Sequence, residues 1–264
     1  YEQEQVLFAE LSDVSGSIEN YEFLGLASSM NLKYKSGSWL PGDVEVKIKS
    51  IEGGPALRNI SSLLQIELSD DQKLQRIIVN ALSGEIFGGK ISLRDNALIP
   101  FPTFNSSTLL AIEGWEVSEI LALYSDQGIT GTGRISGQLP LKISPKHVSL
   151  ANGRLQSVEP GGAISIGPES RSSLNPTNNK DMATMLRLLE NFQYEDLNAL
   201  ATLDKQGDLI LKLAIFGSNP TELEGQAINL NVNIEQNLFD LIKSMTIANE
   251  TVRKVRNLHE EDFR

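Results

Sequence analysis

The 264-residue chain has no cysteine. That excludes disulfides, thiol nucleophiles and thiolate metal sites. It has only two histidines, His147 and His259, so imidazole chemistry has few carriers. Lysine and arginine total 23 against 34 aspartates and glutamates, a net charge of −11. So acidic a chain is poorly suited to neutralising a nucleic-acid backbone or to spreading over an anionic lipid surface. It also lacks any unbroken run of about 18 apolar residues, the length a bilayer-spanning helix needs. No H-E-x-x-H, EF-hand loop or G-x-S-x-G elbow occurs, so no motif marks a metal site or an acyl-transfer site. Adjacent carboxylates such as Glu195-Asp196 and Glu260-Glu261-Asp262 read as solvated charge. No leader is visible and the first residue is Tyr1. The chain therefore reads as a piece of something longer, with any membrane anchor outside it.

What is present is β patterning. VEVKIKS (44–50) sets Val44, Val46 and Ile48 against Glu45, Lys47 and Lys49. LLQIEL (63–68) alternates in the same way, and ISL (91–93) follows a Gly88-Gly89 turn. DLILKLAIFG (208–217) places Leu209, Leu211, Leu213 and Ile215 on one face. AINLNVNIEQ (227–236) alternates Ile228, Leu230, Val232 and Ile234 with Asn229, Asn231 and Asn233. A period of two is that of strands with one apolar and one polar face. The breaks are expected at Gly53-Gly54-Pro55, Asn152-Gly153, Gly161-Gly162 and Ser218-Asn219-Pro220. The first forty residues alternate only weakly.

Three segments carry helical spacing instead. They are 115–128, with Val117, Ile120, Leu121 and Tyr124; 180–192, with Met182, Met185, Leu186, Leu189 and Phe192; and 236–255, with Leu238, Leu241, Ile242 and Met245. Asp181 is a candidate cap for the second. The Ser- and Asn-rich stretch 168–180 reads as a loop, and the last residues as a polar tail.

GITGTGRISGQLPLKI (128–143) tests the alternative of a nucleotide fold. Gly131, Gly133 and Gly137 mimic a phosphate-binding loop, but such a loop follows a strand and opens a helix. Here a helix precedes the glycines, and Pro140 with alternating Ile135, Leu139, Leu141 and Ile143 follows them. The tract is a strand whose glycines permit bulges or close backbone approach. The chain also lacks the βαβ rhythm of a doubly wound sheet.

The run ILALYSDQGITGTGRISGQLPLKI resembles the C-terminal region of the YdbH family, bacterial envelope proteins of the AsmA-like, TamB-related group. So do VSLANGRLQSVEPGGAISI (148–166), LLENFQYEDLNALATLDKQGDLILKLAIFGSNP (188–220) and GQAINLNVNIEQNLFDLI (225–242), in order. The likeness covers about residues 109–245; residues 1–108 share only a β-rich character, and 246–264 form a helical, polar tail. The resemblance implies a mainly β fold: an antiparallel, strongly curved sheet forming an open, taco-like groove, with about three short amphipathic helices. It implies one groove domain over 1–264, within a longer inner-membrane-anchored protein facing the periplasm of a Gram-negative cell. It further implies non-enzymatic carriage of phospholipid between inner and outer membranes, without a cofactor. A small outer-membrane lipoprotein is the implied partner, adding strands at the C-terminal end. An older family label, dicarboxylate transport, leaves a small-molecule accessory role as the weaker alternative.

On that implication the cleanest alternations would line the groove: Leu209, Leu211, Leu213, Ile215, Ile228, Leu230, Val232 and Ile234. Periodicity alone favours the dry core of a sandwich or barrel over a groove, and that alternative stays open. Asn229, Asn231 and Asn233 would mark an edge strand that accepts a partner's strand, or simply a solvated face. A structural scaffold that docks a partner by strand addition is the competing function. Trp39 and Trp115 fit either a lipid interface or a core.

Overall fold

The computed structural model describes residues 4–123, 128–167 and 180–244. The first half is all strand: β1 (Gln5–Ile18), β2 (Tyr21–Lys35), a two-residue β3 (Ser38–Trp39), β4 (Gly42–Glu52), β5 (Leu57–Leu68), β6 (Leu74–Ile86), β7 (Gly89–Leu93), β8 (Ala97–Pro100) and β9 (Ser106–Glu116). Helix α1 (Val117–Leu121) separates these from β10 (Ile129–Gly131), β11 (Arg134–Ser144), β12 (His147–Ser157) and β13 (Gly162–Ile166). Helix α2 (Lys180–Leu188) and a 3₁₀ turn (Leu189–Asn191) lead into β14 (Phe192–Leu203) and β15 (Asp208–Ser218). A second 3₁₀ turn (Leu223–Gly225), β16 (Ile228–Asn237) and helix α3 (238–244) complete the described chain.

All sixteen strands belong to one sheet, and every pairing in it is antiparallel. Its main path runs β1-β2-β4-β5-β6-β7-β9-β11-β12-β14, and β14 continues to β15 and β16 on one side and to β13 and β10 on the other. The sheet does not close: among the described residues β1 pairs only with β2, and β16 only with β15. It is nevertheless strongly curled. Ile242 Cγ2 of α3 lies 3.6 Å from where a Cβ on Gly54 would stand, in the β4–β5 turn. Those two segments are many strands apart along the sheet. A right-handed strand twist, accumulated over so many strands and sharpened by bulges, bends a long sheet in this way.

The expected breaks at Gly53-Gly54-Pro55, Gly88-Gly89 and Gly161-Gly162 fall between strands, with Gly89 and Gly162 opening the next strand. Asn152-Gly153 does not: it lies inside β12. Asn152 has φ 56°, and the β12–β14 register shifts between Leu150 and Gly153. The pair is a bulge, which keeps the strand running while bending it. The weakly alternating first forty residues are strands too. Their pattern is broken by a bulge around Asp13 (φ 51°), where the β1–β2 register shifts twice.

The helices are shorter than their periodicity suggests. Residues 115 and 116 end β9, so α1 begins at Val117; Tyr124 lies outside the described residues. Phe192 begins β14 rather than ending α2. Residues 236 and 237 close β16, and of the third segment only 238–244 is described as helix. The loop 168–179, the end of the third segment and the tail with His259 and Glu260-Glu261-Asp262 lie outside the described residues, as do the side chains of Asp181 and Met182.

One core cluster is built where α1 and α2 pack on the sheet. Val117, Ile135, Ile166, Leu186, Leu189, Phe192, Tyr194, Leu197, Ala199 and Ile215 are all buried in it. Asn219 (1% exposed) holds α2 in place. Its Nδ2 donates to the carbonyls of Arg187 (3.2 Å) and Leu188 (2.9 Å), and its Oδ1 accepts from Thr221 N–H and Oγ1–H (both 2.8 Å). This satisfies carbonyls that the end of a helix leaves unpaired.

Candidate functional site

Directly opposed residues of paired strands share a face, so the register traces a surface across the sheet. Val232 of β16 faces Leu213 of β15, which faces Ala199 of β14. Ala199 faces Leu155 of β12, which faces Gly137 of β11. Gly137 faces Ile112 of β9, which faces Ile91 of β7, and Ile91 faces Gly84 of β6. A Cβ on Gly84 would touch Ile60 of β5 at 3.5 Å, and Ile60 faces Ile48 of β4. Val44 of β4 faces Met30 of β2, which faces Ala9 of β1. A continuous apolar face thus runs from one free edge of the sheet to the other, with no polar residue on this path.

The eight residues chosen from sequence all lie on this face. Leu211 opposes Ile234, Leu213 opposes Val232, Ile215 opposes Leu230 and Gly217 opposes Ile228. Asn229, Asn231 and Asn233 point the other way, beside Phe216, Ala214 and Lys212, and all three are exposed. That outer face is not wholly polar, since Leu200 and Phe216 are exposed on it.

The face is covered at one end of the strands and open at the other. Ile215 is only 2% exposed, and Leu213, Ile228 and Leu230 pack against the core cluster beneath α1 and α2. Toward the β14–β15 turn burial falls: Leu209, Leu211 and Val232 are half-buried and Ile234 is 38% exposed. An open depression of about 730 Å³ lies at this end, lined by Leu150, Leu203 and Leu209 and rimmed by Asp204, Asp208 and Glu235.

Sequence reading passed over the first half of the face, on β1 to β7. Its signal was the alternation of Val44, Val46 and Ile48 in β4 and of Ile60, Leu64 and Ile66 in β5; in register Val44 meets Leu64 and Ile48 meets Ile60, while Val46 meets Ser62 and Ile66 meets Gly42.

Groups suited to bond-breaking chemistry are not gathered here. His147 begins β12 at an exposed position, and it lines neither this depression nor a second one of about 430 Å³ beside Lys142 and Lys205. Among the described residues, no group of three or more histidines, aspartates or glutamates is placed to hold a metal ion. Nor is any described helix long and apolar enough to cross a membrane. Burial raises the Tyr194 phenol above its ordinary value, while its hydroxyl donates to the Thr132 carbonyl at 2.7 Å. Both tryptophans are half-buried, with indole N–H groups that are buried and lack a partner.

The profile of the YdbH-like family, described as intermembrane phospholipid transport protein YdbH, matches residues 3–257. It includes the first hundred residues, beyond the reach of the sequence resemblance. A "probable phospholipid transport protein YdbH" of Escherichia coli (strain K12) is 21% identical over 227 residues, covering 84% of this chain and 25% of that protein. The chain therefore spans about a quarter of the length of that curated relative. No solved structure matches it.

Proposed function

The chain belongs to the YdbH-like family, and from that premise we propose that its apolar face carries phospholipid acyl chains. The observation behind this is the edge-to-edge apolar face, which among the described residues is sealed by α1 and α2 at one end. An antiparallel sheet with such a face needs something over it. Acyl chains gain about 0.8 kcal/mol per CH₂ on leaving water, so ten methylenes on the face would gain roughly 8 kcal/mol. Leu209, Leu211, Val232 and Ile234 line the uncovered end, and with Leu203 they form the contact surface of this reading. Leu213, Ile215, Ile228 and Leu230 form the inner boundary, where the track meets the core cluster. Movement along such a face breaks no bond, so the reading needs no catalytic residue and no cofactor.

In the finer form of this reading the chain is a periplasmic segment of an inner-membrane-anchored protein, moving phospholipid between the inner and outer membranes. A small outer-membrane lipoprotein then extends the sheet from β16. The free edge of β16 among the described residues supports strand addition, as do the outward Asn229, Asn231 and Asn233. The same edge supports the second reading, a scaffold that docks a partner without carrying lipid.

Native mass spectrometry of the purified chain, followed by organic extraction, tests the proposal. Co-purifying phospholipid that disappears when Leu211 or Leu230 is changed to Asp supports it. A lipid-free mass with no uptake from liposomes would leave only the scaffold.

A further inference from the structure

Several cations on the strands of this sheet have carboxylates opposite them. Arg58 opposes Glu85, Arg76 opposes Glu67, Arg134 opposes Glu116, and Lys90 lies between Glu85 and Glu113. Such cross-strand pairs let a sheet neutralise its own charge. Lys142 of β11 is placed differently: it stands between Ser107 of β9 and Ser149 of β12. It is an odd number of positions from Gly137 in an unbroken register with β9, so it points away from the apolar face.

Ser107, Lys142 and Ser149 line the depression of about 430 Å³, and Lys205 joins them from the β14–β15 turn, with Asn96, Asn105 and Ser144. No aspartate or glutamate is among the described residues that line it. Asp204, next to Lys205 in sequence, is engaged in its own turn. Its Oδ1 accepts from Gln206 N–H and Asp208 N–H, both at 2.9 Å, and it rims the other depression. Neither Lys142 nor Lys205 forms an ion pair among the described residues, whereas Lys33, Lys47, Lys49 and Lys73 each do. The hydroxyls of Ser107 and Ser149 likewise have no hydrogen-bond partner among those residues. In a chain of net charge −11, two ammonium groups thus share one concavity that supplies no counter-charge.

We propose that this depression binds a phosphate group, with the Lys142 and Lys205 ammonium groups as counter-charges and the Ser107 and Ser149 hydroxyls as donors. Lysine holds phosphate as a point charge, without the planar fork that bidentate carboxylate pairing uses. The group is the phosphate of a lipid headgroup or a free phosphate ion. The rim favours the headgroup. Leu98 lines the depression and is exposed, and Phe104, just before Asn105, is exposed with its ring centroid 4.2 Å from that of Phe101. Apolar and aromatic side chains beside cations are what a lipid interface accepts. The site is on the opposite face of the sheet from the acyl-carrying one, so neither reading rests on the other.

Inorganic phosphate titrated into the whole chain and followed by amide NMR tests the site. The resonances of Ser107, Lys142 and Ser149 should shift saturably. Lys142→Gln with Lys205→Gln should weaken binding by about tenfold or more, as expected when charged donors are lost. Lys212→Gln removes an equally exposed cation from the same outer face, opposite Asn233, and should leave binding unchanged. Leu211→Asp should also bind phosphate normally, and the double lysine variant should keep its co-purifying phospholipid. Co-sedimentation with vesicles of phosphatidylethanolamine and phosphatidylglycerol separates the two sources. Sedimentation that inorganic phosphate displaces, and that the double variant and Phe104→Ser both weaken, supports the headgroup. Saturable phosphate binding without sedimentation supports the site with free phosphate as its ligand. No saturable shift, or a shift that the double variant retains, overturns the proposal.

Discussion

Leu211 of β15 stands directly opposite Ile234 of β16, four residues along β15 from the Ile215–Leu230 pair on the same face. Ile215 is sealed in the core cluster at 2% exposure, while Ile234 is 38% exposed. One strand thus runs from a packed interior to an open apolar surface, and substitutions along it should separate stability from ligand binding.

Leu211→Asp places a carboxylate on the open part of the face. It should abolish co-purifying phospholipid in native mass spectra. The accompanying loss of stability should be about 1–2 kcal/mol, because the position is only half-buried. Retained lipid in a folded Leu211→Asp chain would move the contact surface elsewhere.

Ile215→Ala should behave in the opposite way. Deleting a sealed aliphatic side chain costs about 2–5 kcal/mol, visible as a lower urea midpoint at unchanged m-value. Where the variant is folded, its lipid content per molecule should match wild type.

Asn219→Ala should cost about 1–3 kcal/mol, since it removes the partner of two carbonyls at the end of α2 and an acceptor for Thr221. Asn219→Asp should be worse, because it sets a carboxylate against those carbonyls. Unfolding followed by circular dichroism measures both. Equal stability of the three chains would show that α2 is held by its apolar contacts alone.

Tyr194 predicts an alkaline effect. Burial raises its phenol above 10.0, the ordinary value. The unfolded chain then ionises first, so the stabilising contribution is complete below pH 10 and is lost as pH rises from there through the folded-state value. Tyr194→Phe should lack this part of the alkaline decline. At neutral pH it should cost about 1 kcal/mol for the lost hydrogen bond to Thr132. Urea titrations of both proteins at neutral pH and above pH 10 would reveal the difference, and parallel curves would refute it.

Much of the fold is legible in sequence because strand periodicity is local. Residues 208–217 and 227–236 alternate cleanly, and each forms the strand it predicts. The glycine run at 131–137 is a strand for the reason its neighbours suggest. A side chain at Gly137 would strike the Arg154 carbonyl of β12, and one at Gly131 would meet Leu121 Cδ1 at 2.8 Å. Signals went unread where conformation departs from the two-residue period. The bulges at Asp13 and Asn152 shift the register, and the former hides the alternation of the first strands.

The sequence by itself determined that the chain is a β protein whose regular strands each carry one apolar face. That property resides within a few neighbouring residues. Only the tertiary structure decided that the faces align from edge to edge, that α1 and α2 seal one end, and that Ile242 meets Gly54. Those outcomes depend on register and on twist accumulated over many strands. No local pattern records either, because each strand pair adds only a small rotation and the contact appears only in their sum.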